Sequence, residues 1–365
     1  MAAPSLLGSA LYYAALLAVA TGWLFRPRIR LWGSAALGLA AACWSWQAWQ
    51  SASTTRLTIL PLSGGHALYC DAPGSRNDLL LDCGSTNSVR WLTKPFLRAN
   101  GVNSLPNLVL THGDSQHIGG AEAVSALFSA QKVWVSPVKF PSPAYRRAVA
   151  KLGQAPGRLQ TLSRGGRLGP WTILHPEPSD HFPLADDNAL VLMGDLRGTA
   201  VLLVSDLGRP GQNALLERGC DLRADIVVTG LPSGSEALGD NFLEAVRPRL
   251  IIVADSEYPA TARASPSLRA RLAQSGVPVI YTRFSGAVTL EFYRGRWKAR
   301  LMNPSPPPEA RGQDAPAGEP AEGGASRHRP RSAAFTRRDA CQNKSSALPW
   351  RQALPLTRID PPLLS

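Results

Sequence analysis

Two long apolar runs without a charged residue open the chain, from Met1 to Phe25 and from Leu31 to Thr55; short apolar runs broken by turn residues follow. Each long run suffices, as a helix, to cross about 30 Å of hydrocarbon, which takes roughly 20 residues. Between them lies Arg26-Pro27-Arg28-Ile29-Arg30, flanked by Trp23 and Trp32, while Trp44, Trp46 and Trp49 sit toward the far end of the second run. Tryptophans at both ends and a basic loop are what membrane interfaces select for. Residues 1–55 therefore predict two transmembrane helices. A signal peptide is disfavoured, because no basic segment precedes the first run and a second span follows. The positive-inside rule puts the arginine loop in the cytoplasm and everything after Thr55 on the periplasmic or outer side of the cell membrane.

Beyond Arg56 the pattern predicts strands at Leu57–Leu62, Ala67–Cys70 and Leu79–Leu81, punctuated by Gly64-Gly65, Pro73-Gly74 and Gly84. Ser88–Asn100 reads as a helix with Trp91, Leu92, Phe96 and Leu97 on one face. Asn107–Leu110 is a strand and Ala121–Ala130 a helix; the strands Val133–Val135, Leu159–Leu162 and Trp171–Leu174 follow, with a helix at Ala144–Leu152. Ala189–Met193 and Ala200–Val204 form a hairpin across Gly194–Gly198. Ile226–Val228, Leu250–Val253, Val279–Thr282 and Val288–Phe292 are further strands, separated by helices at Asn241–Val246 and Ser267–Ser275. Strands first, then strands interleaved with helices, predict an α/β sandwich of stacked sheets covered by helices.

Composition adds a third region. From Asn303 the chain turns rich in Pro, Ala, Gly, Ser and Arg without periodicity, so residues 303–365 read as a disordered tail that cannot bury enough surface to offset chain entropy. The formal charge of +13 favours anionic partners such as nucleic acid or lipid headgroups. GC-rich coding inflates Arg, Ala, Pro and Gly together and explains the composition as well. The basic stretch Lys132, Arg146, Arg147, Lys151, Arg158, Arg164 and Arg167 reads first as a solvated face and second as a track for a phosphate backbone. The five cysteines contain no CxxC pair, which excludes zinc-knuckle and thioredoxin-like motifs; Cys70 and Cys83 read as separate buried thiols.

The densest chemistry follows the strand Asn107–Leu110, in Thr111-His112-Gly113-Asp114-Ser115-Gln116-His117-Ile118-Gly119-Gly120. A strand ending in a turn can aim His112, Asp114 and His117 at one point. Imidazole nitrogen and carboxylate oxygen are ligands that zinc or manganese accepts. The glycine pair lets the backbone turn into the next helix.

These residues, with Leu79-Leu80-Leu81-Asp82-Cys83-Gly84 before them, resemble a metallo-β-lactamase-fold hydrolase, and more closely the C-terminal domain of ComEC-type competence proteins, which take DNA through a membrane. That group writes its motif His-x-Asp-x-Asp-His, which Asp114 fits. Asp187-Asn188-Ala189-Leu190-Val191-Leu192 with Ser205-Asp206-Leu207, Val246-Arg247-Pro248-Arg249 and Ser285-Gly286-Ala287-Val288 are similar to its hairpin and closing strands. The resemblance implies a metallo-β-lactamase-like αββα sandwich over residues 56–302. It also implies metal ligands at His112, Asp114, His117 and Asp206, with Asp206 bridging, and outer positions for Asp82, Asn188 and Gln116. Asp114, His117 and His66 become the candidate catalytic residues, His66 as a substitute ligand or general acid.

Four departures narrow this expectation. Gln116 stands where the family carries the second metal's aspartate, Leu231-Pro232-Ser233-Gly234-Ser235 replaces a paired-histidine turn, Ser63-Gly64-Gly65-His66 replaces a Gly-Gln-Gly-Asp turn, and Arg263 or Ala264 stands in place of a late histidine before Ser265-Pro266. Zinc or manganese is expected as one ion, with the second site degraded. The resemblance leaves three functions open: a membrane-anchored metal-dependent hydrolase acting on DNA; a weak or inactive module that binds DNA or a channel subunit; and a hydrolase of small-molecule esters that shares only the fold.

Overall fold

Hydrophobic alternation along the strands assigns their two faces to different layers. In β3 (Leu79–Leu81) and β4 (Asn107–Leu110), Leu79, Leu81 and Val109 point into the space between two sheets, while Leu80, Leu108 and Leu110 point the other way, under helices. The computed structural model, described for residues 6–22, 38–42, 45–46, 54–304 and 358–359, repeats this arrangement throughout. One sheet contains β1 (Thr55–Leu60), β2 (Ala67–Asp71), β3, β4, β5 (Lys132–Val135) and β6 (Leu159–Thr161), extended on the other side of β1 by β14 (Val288–Tyr293) and β15 (Arg296–Leu301). The second runs in the order β13-β12-β11-β10-β9-β8-β7, from β13 (Val279–Tyr281) through β12 (Leu250–Val253), β11 (Ile226–Thr229), β10 (Ala200–Ser205), β9 (Val191–Asp195) and β8 (Trp171–His175) to β7 (Arg167–Leu168).

The sheets face each other across a core that includes Ile59, Leu81, Val109 and Phe292 from one and Trp171, Leu192, Leu203 and Ile252 from the other. Full burial of each such side chain contributes about 1.5–3 kcal/mol. The outer face of the first sheet is covered by α2 (residues 86–99), α4 (Ala121–Phe128) and α5 (Pro143–Leu152). That of the second is covered by α6 (Arg209–Glu217), α7 (Asp240–Val246) and α8 (Pro266–Gln274). The architecture is the expected αββα sandwich.

Several local expectations change. The buried stripe of α2 is Val89, Thr93 and Leu97, whereas Trp91 is 66% exposed; a π-type turn over Val89–Thr93 shifts the face that a regular helix would bury. Strand β15 was hidden by its charges, because Arg296, Lys298 and Arg300 alternate with Trp297 and Ala299, which enter the core. Helix α6 was hidden by Pro210 and Gly211, although proline suits a helix's first turn. Cys70 lies between the sheets and Cys83 under the helices, so the two free thiols occupy different layers.

Among the described residues no helix is long and apolar enough to cross a membrane. The helix α1 in the first expected span covers Leu6–Ala20, 15 residues, or about 22 Å at 1.5 Å per residue, short of the hydrocarbon thickness. The second expected span, Leu31–Thr55, lies largely outside the described residues. So does the tail expected to be disordered, apart from Asn303, Pro304 and the short strand Arg358–Ile359, which pairs with β15.

Strand direction places the site. Because β2 is antiparallel to both neighbours, β1 runs parallel to β3, and β3, β4 and β5 are mutually parallel. In the other sheet β10 to β13 are parallel. Carboxyl ends from both sheets therefore meet at one lip of the sandwich, where open α/β sheets place their ligand crevices.

Candidate metal centre

Five polar residues of this lip lie at or just after strand ends. Asp82 ends β3, Thr111 and His112 end β4, and Ser205 and Asp206 end β10. Asp82 and Ser205 both hold left-handed backbones, with φ of 55° and 54°, a conformation that non-glycine residues adopt at a cost. The turn at Ser205 coincides with a register shift in β10 that carries Asp206 into the site. Helix α3 (Ser115–Ile118) then brings His117 over the same point, and the β1–β2 turn brings His66.

Asp82 is the anchor. Fully buried, it accepts from Thr111 N at 2.8 Å and Thr111 Oγ1 at 2.7 Å. Its Oδ2 also faces His117 Nδ1 at 3.1 Å and His66 Nε2 at 3.3 Å. A carboxylate only accepts, so both ring nitrogens that face it carry hydrogen. The opposite nitrogens turn toward Asp206: His117 Nε2 lies 3.0 Å from Oδ2 and His66 Nδ1 lies 3.5 Å from Oδ1. Two carboxylates and two imidazoles thus close a ring, with the His66 and His117 rings 4.5 Å apart.

Electrostatics follow from this ring. Burial works against charge on His117, but Asp206 and Asp82 outweigh it and hold the imidazolium well above the ordinary histidine range. Burial likewise opposes the charge on Asp206, yet His117 and His66 hold that carboxyl far below its usual value; Asp82 is lowered in the same way. Burial, then the charge of His117, pushes His112 down.

Thr111 Oγ1 donates to Asp82 and so stands as acceptor for His112 Nδ1 at 2.9 Å, which leaves the lone pair of His112 on Nε2. That Nε2 is buried and has no hydrogen-bond partner; the same holds for His66 Nδ1 and Asp206 Oδ1. Unpaired buried polar atoms are costly and call for an explanation such as an ion. Two sets of donors converge closely enough for a cation, His66–His117–Asp206 and Asp82–His112–His117, with the atoms of each set within 4.8 Å of one another. Nitrogen and carboxylate donors of this kind fit a divalent metal.

The expected residues divide accordingly. His66, His112, His117, Asp82 and Asp206 come together, while Asp114 belongs to neither convergent set. Asp114 caps α3, accepting from Gln116 N at 3.0 Å, and lines the cleft. Gln116 also lines the cleft and lies beneath the Gly64-Gly65 turn, where a Cβ on Gly65 would overlap the Gln116 carbonyl. Asn188 faces away: its amide donates to Phe182 O and Leu184 O and its oxygen accepts from Phe182 N. Asp186 takes the place beside the site, 3.7 Å from His112 Nε2, and accepts from Ser233 N and Oγ at 2.7 Å each. The acidic pair Asp186-Asp187 ahead of the hairpin was the available signal for it. The cleft above the ring encloses about 510 Å³ and has Leu231, Pro232, Ser233, Ala254 and Thr261 on its far wall.

Residues 74–250 match the model of the Metallo-beta-lactamase superfamily, so the chain carries a metallo-β-lactamase domain. It is similar to ComE operon protein 3 of Bacillus subtilis (strain 168), 26% identical over an alignment of 222 positions that covers 55% of this chain and 28% of that protein. It is similar also to Competence protein ComA of Neisseria gonorrhoeae, 26% identical over 227 residues, 61% of this chain and 30% of the relative. The chain thus matches less than a third of the length of either relative. Among solved structures, Igni18, a metallo hydrolase of Ignicoccus hospitalis KIN4/I, aligns with a TM-score of 0.44 at 18% identity, over 66% of this chain and 100% of its own. The MIM-2 metallo-beta-lactamase aligns with a TM-score of 0.36 at 17% identity, over 60% of this chain and 86% of its own.

Proposed function

We propose that this metallo-β-lactamase domain is a metal-dependent phosphodiesterase of a membrane-associated DNA-uptake system, working with one divalent ion, zinc or manganese. The observation that carries the reading is the junction of His117 and Asp206 at the floor of the cleft, with buried donor atoms left unpaired beside it. A divalent ion bound there supplies Lewis-acid polarisation of a phosphoryl or acyl oxygen. The chain supplies the rest. Asp82 fixes the tautomers and orientations of His66 and His117, an arrangement in which an outer carboxylate raises ligand basicity. Leu231 and Pro232 add apolar surface to the lining of the cleft. Asp114 lines the same cleft and is the carboxylate placed to take a proton during hydrolysis.

DNA as substrate is supported by the likeness to two competence proteins and by the charge of +13. Membrane anchoring rests on the uncharged sequence from Met1 to Phe25 and from Leu31 to Thr55, with residues 56–302 as the domain facing the periplasmic or outer side and 303–365 as a tail. A second reading has its own observation. The neutral Gln116 amide and the Leu231-Pro232 wall leave one side of the cleft without the charged donors of a two-metal clamp, which favours a module that holds DNA or a channel subunit without turning it over.

The full chain, supplied with manganese or zinc, is to be assayed against bis(p-nitrophenyl) phosphate, p-nitrophenyl acetate and labelled single-stranded DNA. Phosphodiester and DNA cleavage that disappear in His117→Ala are expected. DNA binding without cleavage would select the module, and cleavage of the acetate alone would select a small-ester hydrolase.

A further inference from the structure

His66 comes from the turn between β1 and β2, far in sequence from the histidine–aspartate motif at residues 112–117, and its side chain is 2% exposed. Its Nε2 is committed to Asp82. Its Nδ1 is buried without a hydrogen-bond partner and faces Asp206 Oδ1, itself buried and unpartnered, at 3.5 Å. His117 repeats the pattern with its nitrogens exchanged, Nδ1 on Asp82 and Nε2 on Asp206. One buried carboxylate therefore orients two imidazoles whose remaining nitrogens converge on a second carboxylate. That is two carboxylate–histidine–metal arrangements sharing their outer member. Asp114, the motif residue expected as a ligand, caps α3 instead.

The backbone supports the same assignment. Gly64 and Gly65 have φ of 80° and 64°, and a Cβ on either would collide with Gln116. The turn thus packs closely on Gln116, with Gly64 against its side-chain amide and Gly65 against its backbone carbonyl, and Gly64 N donates to Ser256 Oγ at 3.1 Å.

We infer that the divalent ion of this protein is held by His66 Nδ1, His117 Nε2 and Asp206, with His66 recruited from the β1–β2 turn. This inference rests on the one-metal reading and specifies its ligands. Metal–ligand bonds to nitrogen and oxygen are about 2.0–2.2 Å, so donor atoms around one ion lie no more than roughly 4 Å apart. The spacings to Asp206, 3.0 Å from His117 Nε2 to Oδ2 and 3.5 Å from His66 Nδ1 to Oδ1, fall within that bound, and the three donors all lie within 4.8 Å of one another.

The test is a zinc titration of the full chain against a competing chelator dye, on the wild type, His66→Ala and Asp114→Ala. One equivalent bound by the wild type, weakened by about 100-fold or more in His66→Ala and by less than about fivefold in Asp114→Ala, is the expected result. The reverse ranking overturns the His66 assignment and leaves the one-metal hydrolase standing. No zinc bound by the wild type overturns both. A variant with a second readout guards against misfolding of the alanine form. Because the metal-facing atom of His66 is Nδ1, close to the ring's point of attachment, cysteine reaches a similar position. His66→Cys loaded with cobalt should gain a near-ultraviolet thiolate-to-cobalt absorption that the cobalt-loaded wild type lacks. A folded His66→Cys chain that takes up cobalt without that band refutes the assignment.

Discussion

Replacing Asp82 tests the anchor on which the whole site is hung. In the native fold this carboxylate is fully buried, accepts from Thr111 N at 2.8 Å, Thr111 Oγ1 at 2.7 Å and His117 Nδ1 at 3.1 Å, and sits at φ 55°. Asp82→Ala removes every one of these acceptors and leaves the imidazolium of His117 without half of its compensation. Breaking a buried charge pair from one side costs about 3–5 kcal/mol. Holding a non-glycine residue in the left-handed region adds roughly 1–2 kcal/mol. Thr111 Oγ1 regains part of its loss through Ser205 Oγ at 3.0 Å, so about 4–6 kcal/mol is expected in all. Against a typical total of about 5–15 kcal/mol, such a variant is barely folded. Asp82→Asn separates the contributions. Asparagine tolerates the left-handed backbone, so the loss should fall by about 1–2 kcal/mol, while its NH₂ group cannot accept from His117. Urea denaturation followed by far-ultraviolet circular dichroism, with a chelator present so that metal linkage does not enter, reads both variants. An Asp82→Ala midpoint within about 1 kcal/mol of wild type would refute the reasoning.

Two further outcomes follow from other parts of the fold. His175 Nε2 donates to Asp187 O at 2.8 Å and Nδ1 accepts from Arg218 at 3.1 Å, which fixes a neutral ring beside Asp180, Glu177 and Phe182. Burial pushes it down to about 4, while the bond to the Asp187 carbonyl pulls the other way. The unfolded chain binds the proton first, so this stability is present above the unfolded value of about 6.5 and is lost as the pH falls toward 4. Between pH 7 and pH 4 the wild type should lose up to about 3 kcal/mol more than His175→Gln, and parallel pH profiles would refute this. Gly65→Ala, strained at φ 64° and driven against the Gln116 carbonyl, should destabilise by about 1–3 kcal/mol and weaken zinc binding through displacement of His66; unchanged zinc affinity would contradict the geometry.

The sandwich was legible wherever burial is set by alternation or periodicity alone. Asn107–Leu110 and Leu250–Val253 lie as their apolar runs predict, because such strands are covered on both faces. Sequence reading failed where chemistry and pattern disagree. Arg296–Leu301 carries its charges on the solvent side of a strand, and Arg209–Glu217 opens with proline and glycine. At the site, His112 and His117 were visible from motif spacing, and Asp82 and Asp206 from the resemblance to metallo-β-lactamase-fold hydrolases. The partnership of His66 with Asp206 was not, since it depends on β1 running parallel to β3 and on a turn compressed against Gln116. Asp186 was passed over for Asn188 because only the short helical turn Asp186–Asn188 decides which of the two faces His112. The membrane spans stand on composition, and the described part of the first is a helix of 15 residues.

The central claim is that one divalent ion at the His117–Asp206 junction supports hydrolysis. Its most direct test is stoichiometric reconstitution of the full chain. Chelator-treated wild type is titrated with manganese or zinc while cleavage of bis(p-nitrophenyl) phosphate and bound metal are recorded together, alongside Asp206→Asn. Expected are no cleavage before metal, a rise that saturates at one bound equivalent, and neither binding nor cleavage in Asp206→Asn. Cleavage that persists after chelation, or wild type that binds its equivalent and cleaves nothing, would contradict the claim.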